Sequence, residues 1–105
     1  MNKIFLSITF LAFTVGLFAA DEANYNYKPK DGYVPDEKTA IAIAVAVWSP
    51  IYGEEEIQKE KPFKATLKDG VWQVAGSLPD RTPGGVAIAE ISKNDARILR
   101  VSHGK

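Results

Sequence analysis

The chain has 105 residues, with 13 basic and 13 acidic side chains and no cysteine. This length suits one domain, and the lack of cysteine excludes a disulfide framework, a thiolate metal site and a lipid-modified N-terminus. The balanced charge gives no electrostatic footprint for nucleic acid or for an anionic membrane, so we expect neither as a partner.

The N-terminus has the pattern of a secretory signal. Lys3 precedes a mainly apolar run over residues 4–18, and the small residues Ala19 and Ala20 follow it. We expect cleavage after residue 20 and a periplasmic or secreted protein, with no membrane contact after cleavage. The alternative is an uncleaved anchor, but the run is shorter than the roughly 20 residues of a spanning helix. Residues 21–34 are polar and turn-rich and predict a flexible leader, so the domain covers residues 35–105.

The first regular element is a helix predicted over residues 36–49. Asp36 is a suitable N-cap, and Pro50 is expected to end the helix. The run from Ile41 to Trp48 alternates large and small residues, which is typical of a strand, but Ile41, Val45 and Trp48 also recur at helical spacing. We choose the helix, and because it is apolar almost all round, we expect it to be buried on more than one side.

A short second helix is predicted where Gly53 is followed by three glutamates, residues 54–56. Carboxylates suit the positive end of a helix, and Glu55 and Lys59 have the i, i+4 spacing of an ion pair. This pattern is typical of a solvated helix start.

The clearest element is a hairpin around Asp69-Gly70, a pair suited to a two-residue type I′ turn. This turn sets Leu67 opposite Trp72 and Ala65 opposite Val74. One face then carries apolar side chains and the other carries polar ones. The predicted apolar set is Phe63, Ala65, Leu67, Trp72 and Val74, and the polar set is Lys64, Thr66, Lys68 and Gln73.

Two more strands complete the prediction, from Val86 to about Lys93 and from Ile98 to about His103. The turn between them allows two registers, and the sequence does not choose between them. The predicted fold is α+β, with one main N-terminal helix packed on a four-stranded antiparallel sheet.

From Gly32 onward the sequence resembles a bacterial family of immunity proteins from polymorphic toxin systems, which have a nuclear-transport-factor-2-like (cystatin-like) fold. Some relatives carry Asp-Gly where this chain has Asp95-Ala96, and they often have polar residues where it has Ala42 and Ala46. The blocks that carry the resemblance are GYVPDEKTAIAIA (32–44), WSPIYGEE (48–55), KPFKATL (61–67), VWQVAGSLP (71–79), GGVAIAEISK (84–93) and ILRVSHGK (98–105).

The resemblance implies a non-enzymatic immunity protein that binds and neutralises a cognate protein toxin. Together with the export signal, it implies a toxin that acts in the periplasm, and we expect a monomer or weak dimer without a cofactor. The element order is also similar to periplasmic propeptide-like domains that inhibit a peptidase. A small-ligand-binding cystatin-like domain is the other alternative.

Catalysis by the chain is not expected. His103 is the only histidine, and the hydroxyls of Ser92, Ser102 and Thr66 lack a nucleophile motif around them. His103 also lacks companions at metal-ligand spacing. Glu90 lies in an apolar strand and allows two interpretations: it faces solvent, or it lines a concave pocket between helix and sheet. We favour the solvent-facing one, because a buried unpaired carboxylate is costly.

The two tryptophans, Trp48 and Trp72, are predicted to lie in the core, and Tyr52 is predicted to be exposed. Aromatic and charged side chains at exposed positions are the candidates for partner binding. These candidates are Tyr52, Glu54, Glu55, Glu56, Lys64, Lys68, Glu90 and His103.

Overall fold

The structure is a computed structural model that describes residues 25–79 and 83–104. The predicted signal sequence, residues 1–20, and residues 21–24 of the predicted leader lie outside this part. No helix in the described ranges combines the length and apolar character needed to cross a membrane. The elements are α1 (Glu37–Tyr52), α2 (Glu54–Gln58), β1 (Lys64–Lys68), β2 (Val71–Ala75), β3 (Ala87–Ser92) and β4 (Ile98–His103).

Helix α1 begins as predicted and ends later. The Asp36 carboxylate accepts a hydrogen bond of 2.8 Å from the Thr39 amide, which satisfies one free donor of the first turn. The prediction that Pro50 ends the helix is wrong, because α1 continues through it to Tyr52. Proline removes a hydrogen bond to the residue four positions earlier, Ala46. Since Ala46 is exposed, water can satisfy its carbonyl, and the helix tolerates the loss.

The β1–β2 hairpin has the predicted register. Leu67 lies opposite Trp72 and Ala65 opposite Val74. Asp69 and Gly70 have φ angles of 50° and 77°, as a type I′ turn requires. Turn chemistry and hydrophobic pattern therefore agree, and this agreement explains why the register could be predicted.

The four strands form one antiparallel sheet in the order β1-β2-β3-β4. A β-bulge at Glu90 and Ile91 interrupts the pairing of β3 with β4. The turn before β4 places Ala96 at a φ of 65°, a conformation that glycine adopts more easily. The Asp95 carboxylate supports this turn by accepting a hydrogen bond of 3.1 Å from the Arg97 amide.

Helix α1 packs on one face of the sheet, against β1, β2 and β3. We call this the inner face and the opposite one the outer face. Ala40 and Ala44 allow a close approach to the sheet, and the Trp48 indole donates a hydrogen bond of 3.3 Å to the Ile88 carbonyl. The buried apolar residues are Val34, Ala40, Ala44, Trp48, Ile57, Trp72, Val74, Ala87, Ala89 and Ile91.

The expectation that α1 is buried on more than one side is wrong for the described structure. Ala42 and Ala46 are exposed, and both lie on the side that faces away from the sheet. The large apolar side chains of the first three turns, by contrast, are partly or fully buried. The side of this apolar helix that faces solvent therefore carries small alanines, and the larger apolar side chains lie closer to the sheet.

The last residues of the predicted leader contact the domain. The Val34 side chain is fully buried, and its carbonyl accepts a hydrogen bond of 2.8 Å from the Trp72 indole. Its amide donates to the Lys93 carbonyl at 3.0 Å. Gly32 has a φ of 87°, and a side chain there would collide with that same carbonyl. Residues 32–34 thus pack beside the β3–β4 turn.

Candidate partner-binding surfaces

The candidate residues predicted from the sequence fall into two groups. The outer-face cluster consists of Lys64, Lys68 and Glu90, which lie on the sheet face opposite α1. The helix-end cluster lies where α1 ends, and its members are Tyr52, Glu54, Glu55, Glu56 and His103. The structure therefore does not bring all the candidates together into one site.

The outer-face cluster follows from the hairpin register. Trp72 and Val74 are buried under α1, so their neighbours along each strand point the other way. Across the sheet, Thr66 pairs with Gln73, Gln73 with Glu90, and Glu90 with Arg100. One row of polar side chains thus crosses all four strands.

Glu90 lies on the outer face, as the solvent-facing interpretation predicts. Ala87, Ala89 and Ile91 take the inward positions, so the alternative of a carboxylate lining a pocket under α1 is wrong. The Glu90 carboxylate contacts the Arg100 guanidinium at 3.4 Å. The Arg100 side chain is 53% exposed and that of Glu90 31%, so the pair is partly hydrated.

Two lysines give the β1 side of the outer face its charge. Lys64 and Lys68 are exposed. Neither lysine forms an ion pair with another described residue. Lys68 also borders a shallow depression of about 310 Å³, whose other lining residues are Asp69, Val71, Gln73 and Glu90. The half-buried Val71 and Ile88 add apolar surface. The outer face thus has a central polar row with an apolar side chain on either side of it.

The helix-end cluster is partly packed. The prediction that Tyr52 is exposed is wrong, because its ring lies 5.1 Å from the His103 ring at an angle of 58° and is half-buried. The three glutamates of α2 are exposed, as predicted. Lys59 pairs with Glu56 at 3.2 Å, which is the i, i+3 partner and not the predicted Glu55.

A residue that the sequence analysis missed, Glu60, organises this end of the sheet. Its residue exposure is 8%, and one carboxylate oxygen accepts a hydrogen bond of 2.7 Å from the Ala87 amide. The other oxygen lies 2.8 Å from Nε2 of His103. The Glu60 carbonyl also accepts a hydrogen bond of 2.7 Å from the Ser77 amide. One acidic residue thus connects three separate chain segments.

The comparison with protein families agrees with this architecture. Residues 39–105 match the model of the NTF2 fold immunity protein family. This range contains the whole sheet and nearly all of α1. The chain belongs to the NTF2 fold immunity protein family.

Two relatives come from Escherichia coli (strain K12). The uncharacterized protein YhhH is 38% identical over 73 residues, which cover 69% of this chain and 58% of the relative. The uncharacterized protein YbbC is 37% identical over 73 residues, 69% of this chain and 60% of the relative. The matched part is thus less than two thirds of either relative. No solved structure matches the chain significantly.

His103 in this immunity protein is engaged on both sides of its ring. Nδ1 lies 2.8 Å from the Gly104 carbonyl oxygen, and Nε2 faces Glu60. The hydrogen bonds to the Gly104 carbonyl and to Glu60 raise the pKa of His103 above its ordinary value of 6.5. In the protonated ring both nitrogens donate, so both contacts are satisfied.

The three hydroxyls considered from the sequence lie across the sheet from His103 in the described structure. Thr66, Ser92 and Ser102 occupy outer-face positions, whereas His103 pairs with the inward-facing Ala87 at the opposite face. Residues 25–79 and 83–104 also contain no group of three acidic or histidine side chains placed to hold a metal ion.

One sequence signal could have pointed to Glu60. Gly76 directly follows β2, and a side chain at this position would lie 2.3 Å from Oε1 of Glu60. A glycine in or beside a strand often marks a close approach of another group. The glycine thus indicates that another group packs closely against position 76, but it does not identify that group as Glu60.

Proposed function

We propose that this protein is a non-enzymatic immunity protein that binds a cognate protein toxin and neutralises it by blocking its active site or the access to it. The observation that carries the proposal is the family match over residues 39–105. We further propose that the protein is exported and protects against a toxin acting in the periplasm. The signal-like pattern of residues 1–20 supports export.

The outer face is the proposed toxin-binding surface. In the described structure both helices leave this face open, and α1 packs on the other one. Lys64 and Lys68 lie on it without a carboxylate partner in the described ranges, whereas Glu90 is paired with Arg100. The excess positive charge on this face fits a partner with an acidic patch, because complementary charges speed association and exclude other partners.

The ligand-carrier alternative has little support. It requires space between α1 and the sheet with Glu90 at its border. Trp48, Trp72 and Val74 are buried in that region, and Glu90 lies on the opposite face. Binding of a macromolecule to an exposed surface therefore fits the structure better than binding of a small ligand in the core.

Toxin neutralisation is tested by co-expressing the protein with the products of the genes beside its own. We expect one product to be toxic alone, harmless with this protein, and recovered in a one-to-one complex. A toxic neighbour that stays toxic and forms no complex would contradict the proposal. Capture of a peptidase whose activity is inhibited would instead favour the propeptide-like alternative.

The binding surface is tested by reversing the charge of two lysines. Lys64→Glu combined with Lys68→Glu should weaken toxin binding on the order of tenfold or more, because two favourable charge pairs become repulsive. Lys38→Glu combined with Lys61→Glu is the matched control, since both lysines are exposed and lie outside the sheet. Calorimetric titration measures both affinities. If the two double variants bind the toxin with equal affinity, the outer face is not the interface, and the helix-end cluster becomes the next candidate.

Export is tested by cell fractionation and by sequencing the N-terminus of the purified protein. A periplasmic protein beginning near Asp21 would agree with the proposal. A cytoplasmic protein that begins at Met1 would contradict it.

A further inference from the structure

The Glu60 carboxylate holds together parts of the chain that are far apart in sequence. It accepts a hydrogen bond from the Ala87 amide at the start of β3 and faces His103 at the end of β4. Gly104, which follows β4, adds a backbone hydrogen bond of 3.2 Å to the Val86 carbonyl. The end of β4 is therefore held by its pairing with β3, by this backbone hydrogen bond and by the His103–Glu60 contact.

The His103 contacts depend on its protonation. The ring nitrogens face two acceptors, the Gly104 carbonyl at 2.8 Å and the Glu60 carboxylate at 2.8 Å. The imidazolium ion has two N–H groups and satisfies both acceptors, whereas the neutral ring has only one. Loss of one proton from the ring therefore leaves one of the two contacts without its hydrogen.

Among the described residues, two titratable side chains contact this ring. Glu60 reaches it from the segment before β1, and Tyr52 packs against it from α1. The adjacent strand β3 contributes the uncharged Ala87, its sheet partner. The carboxylate of Glu56, on α2, is paired with Lys59. Glu60 is thus the acidic side chain whose hydrogen bond depends directly on the protonation of the His103 ring.

We propose that Glu60 and His103 form a proton-dependent latch that fixes the C-terminal end of β4 to the start of β3. With His103 protonated the latch is closed, and with His103 neutral the end of β4 is held more loosely. Both residues of the latch belong to this chain, and no toxin is needed to form it. The latch can therefore be tested separately from the proposed function.

The direction of the pH dependence follows from the raised pKa of His103, which the bonds to the Gly104 carbonyl and Glu60 cause. A group whose pKa is higher in the folded than in the unfolded state stabilises the fold when it is protonated. Its contribution is complete below the ordinary value of 6.5 and is lost as the pH rises through the folded value. The latch therefore opens on the alkaline side.

The first test follows the ring protons of His103 by NMR across a pH series of the purified protein. Since this is the only histidine, its signals are unambiguous. We expect a pKa above 6.5 in the parent protein. Glu60→Gln should lower it, because the amide NH₂ can donate to a neutral ring nitrogen and no longer stabilises the cation. The control Glu56→Gln removes a carboxylate that is paired with Lys59 and not with the ring, and it should leave the titration unchanged.

The second test measures amide hydrogen exchange of residues 101–104 below and above the His103 titration. After correction for intrinsic rates, opening should increase roughly tenfold on the alkaline side, as expected for the loss of one hydrogen bond to a charged group. His103→Gln keeps a donor but cannot titrate, so its opening should not change with pH. This variant keeps Glu60, so it remains informative if Glu60→Gln does not fold.

Two results would overturn the latch. One is an ordinary or lowered pKa of His103 in the parent protein. The other is the same pH dependence of opening in the parent protein and in His103→Gln.

Discussion

The two faces of the sheet are formed by alternate residues of the same strands, but they differ in burial. The inner face is covered by α1 and carries fully buried residues such as Val74, Ala89 and Ile91. The outer face carries exposed or half-buried side chains, among them Lys64 and Gln73. Apolar burial is the main favourable term in folding, so stability should depend on the inner face. The outer face is then free to carry side chains that suit a partner.

The largest effect should come from the inner face. Trp48→Ala removes a fully buried side chain and its hydrogen bond to Ile88, and should lower the free energy of unfolding by about 3–5 kcal/mol. Gln73→Ala on the outer face is the control and should change it by about 0.5 kcal/mol or less. Urea unfolding followed by circular dichroism measures both. Similar losses for the two variants would remove the distinction between the faces.

A smaller effect is expected at the end of the sheet, where Glu60 approaches the inner face. Gly76→Ala would place Cβ 2.3 Å from Oε1 and 2.8 Å from Cβ of Glu60. We expect a loss of about 1–3 kcal/mol, since Glu60 cannot move without breaking its bonds to Ala87 and His103. Thermal unfolding measures it.

The matched test of this clash combines Gly76→Ala with Glu60→Ala. Once Glu60 is shortened, the added methyl group meets fewer atoms, so the two substitutions should cost less together than the sum of each alone. Strict additivity would show that the loss at Gly76 has another cause.

The two hairpins show how far sequence could predict this fold. For β1–β2, the Asp69-Gly70 turn and the alternation around Trp72 both require the observed register. For β3–β4, Ala96 takes the left-handed conformation without being glycine, and a bulge shifts the pairing at Glu90. Neither feature has a local sequence signature, so this register stayed open until the structure was known.

The candidate site was harder to predict than the fold. Exposed charges such as Lys64 and Lys68 could be placed because their strands alternate regularly. Glu60 could not, since it lies between α2 and β1, and its partners Ala87 and His103 are distant in sequence. Local patterns describe which face a side chain takes, but not which remote group it meets.

The smallest effect should be found on the outer face, at the Glu90–Arg100 pair. It is partly exposed, with 3.4 Å between the charged groups, and such pairs typically contribute about 0.2–1 kcal/mol. A double-mutant cycle with Glu90→Ala and Arg100→Ala should give a coupling in this range, and added salt should reduce it.

The control cycle uses Glu56→Ala and Lys59→Ala, an i, i+3 pair at the C-terminal end of α2 that is about two thirds exposed on both sides. Its coupling should be about 0.2–0.5 kcal/mol, because it is more exposed than the sheet pair. A coupling above about 2 kcal/mol for Glu90 and Arg100 would mean that the outer face also stabilises the fold. The outer face would then be less free to vary with its partner, which would weaken its assignment as the toxin-binding surface.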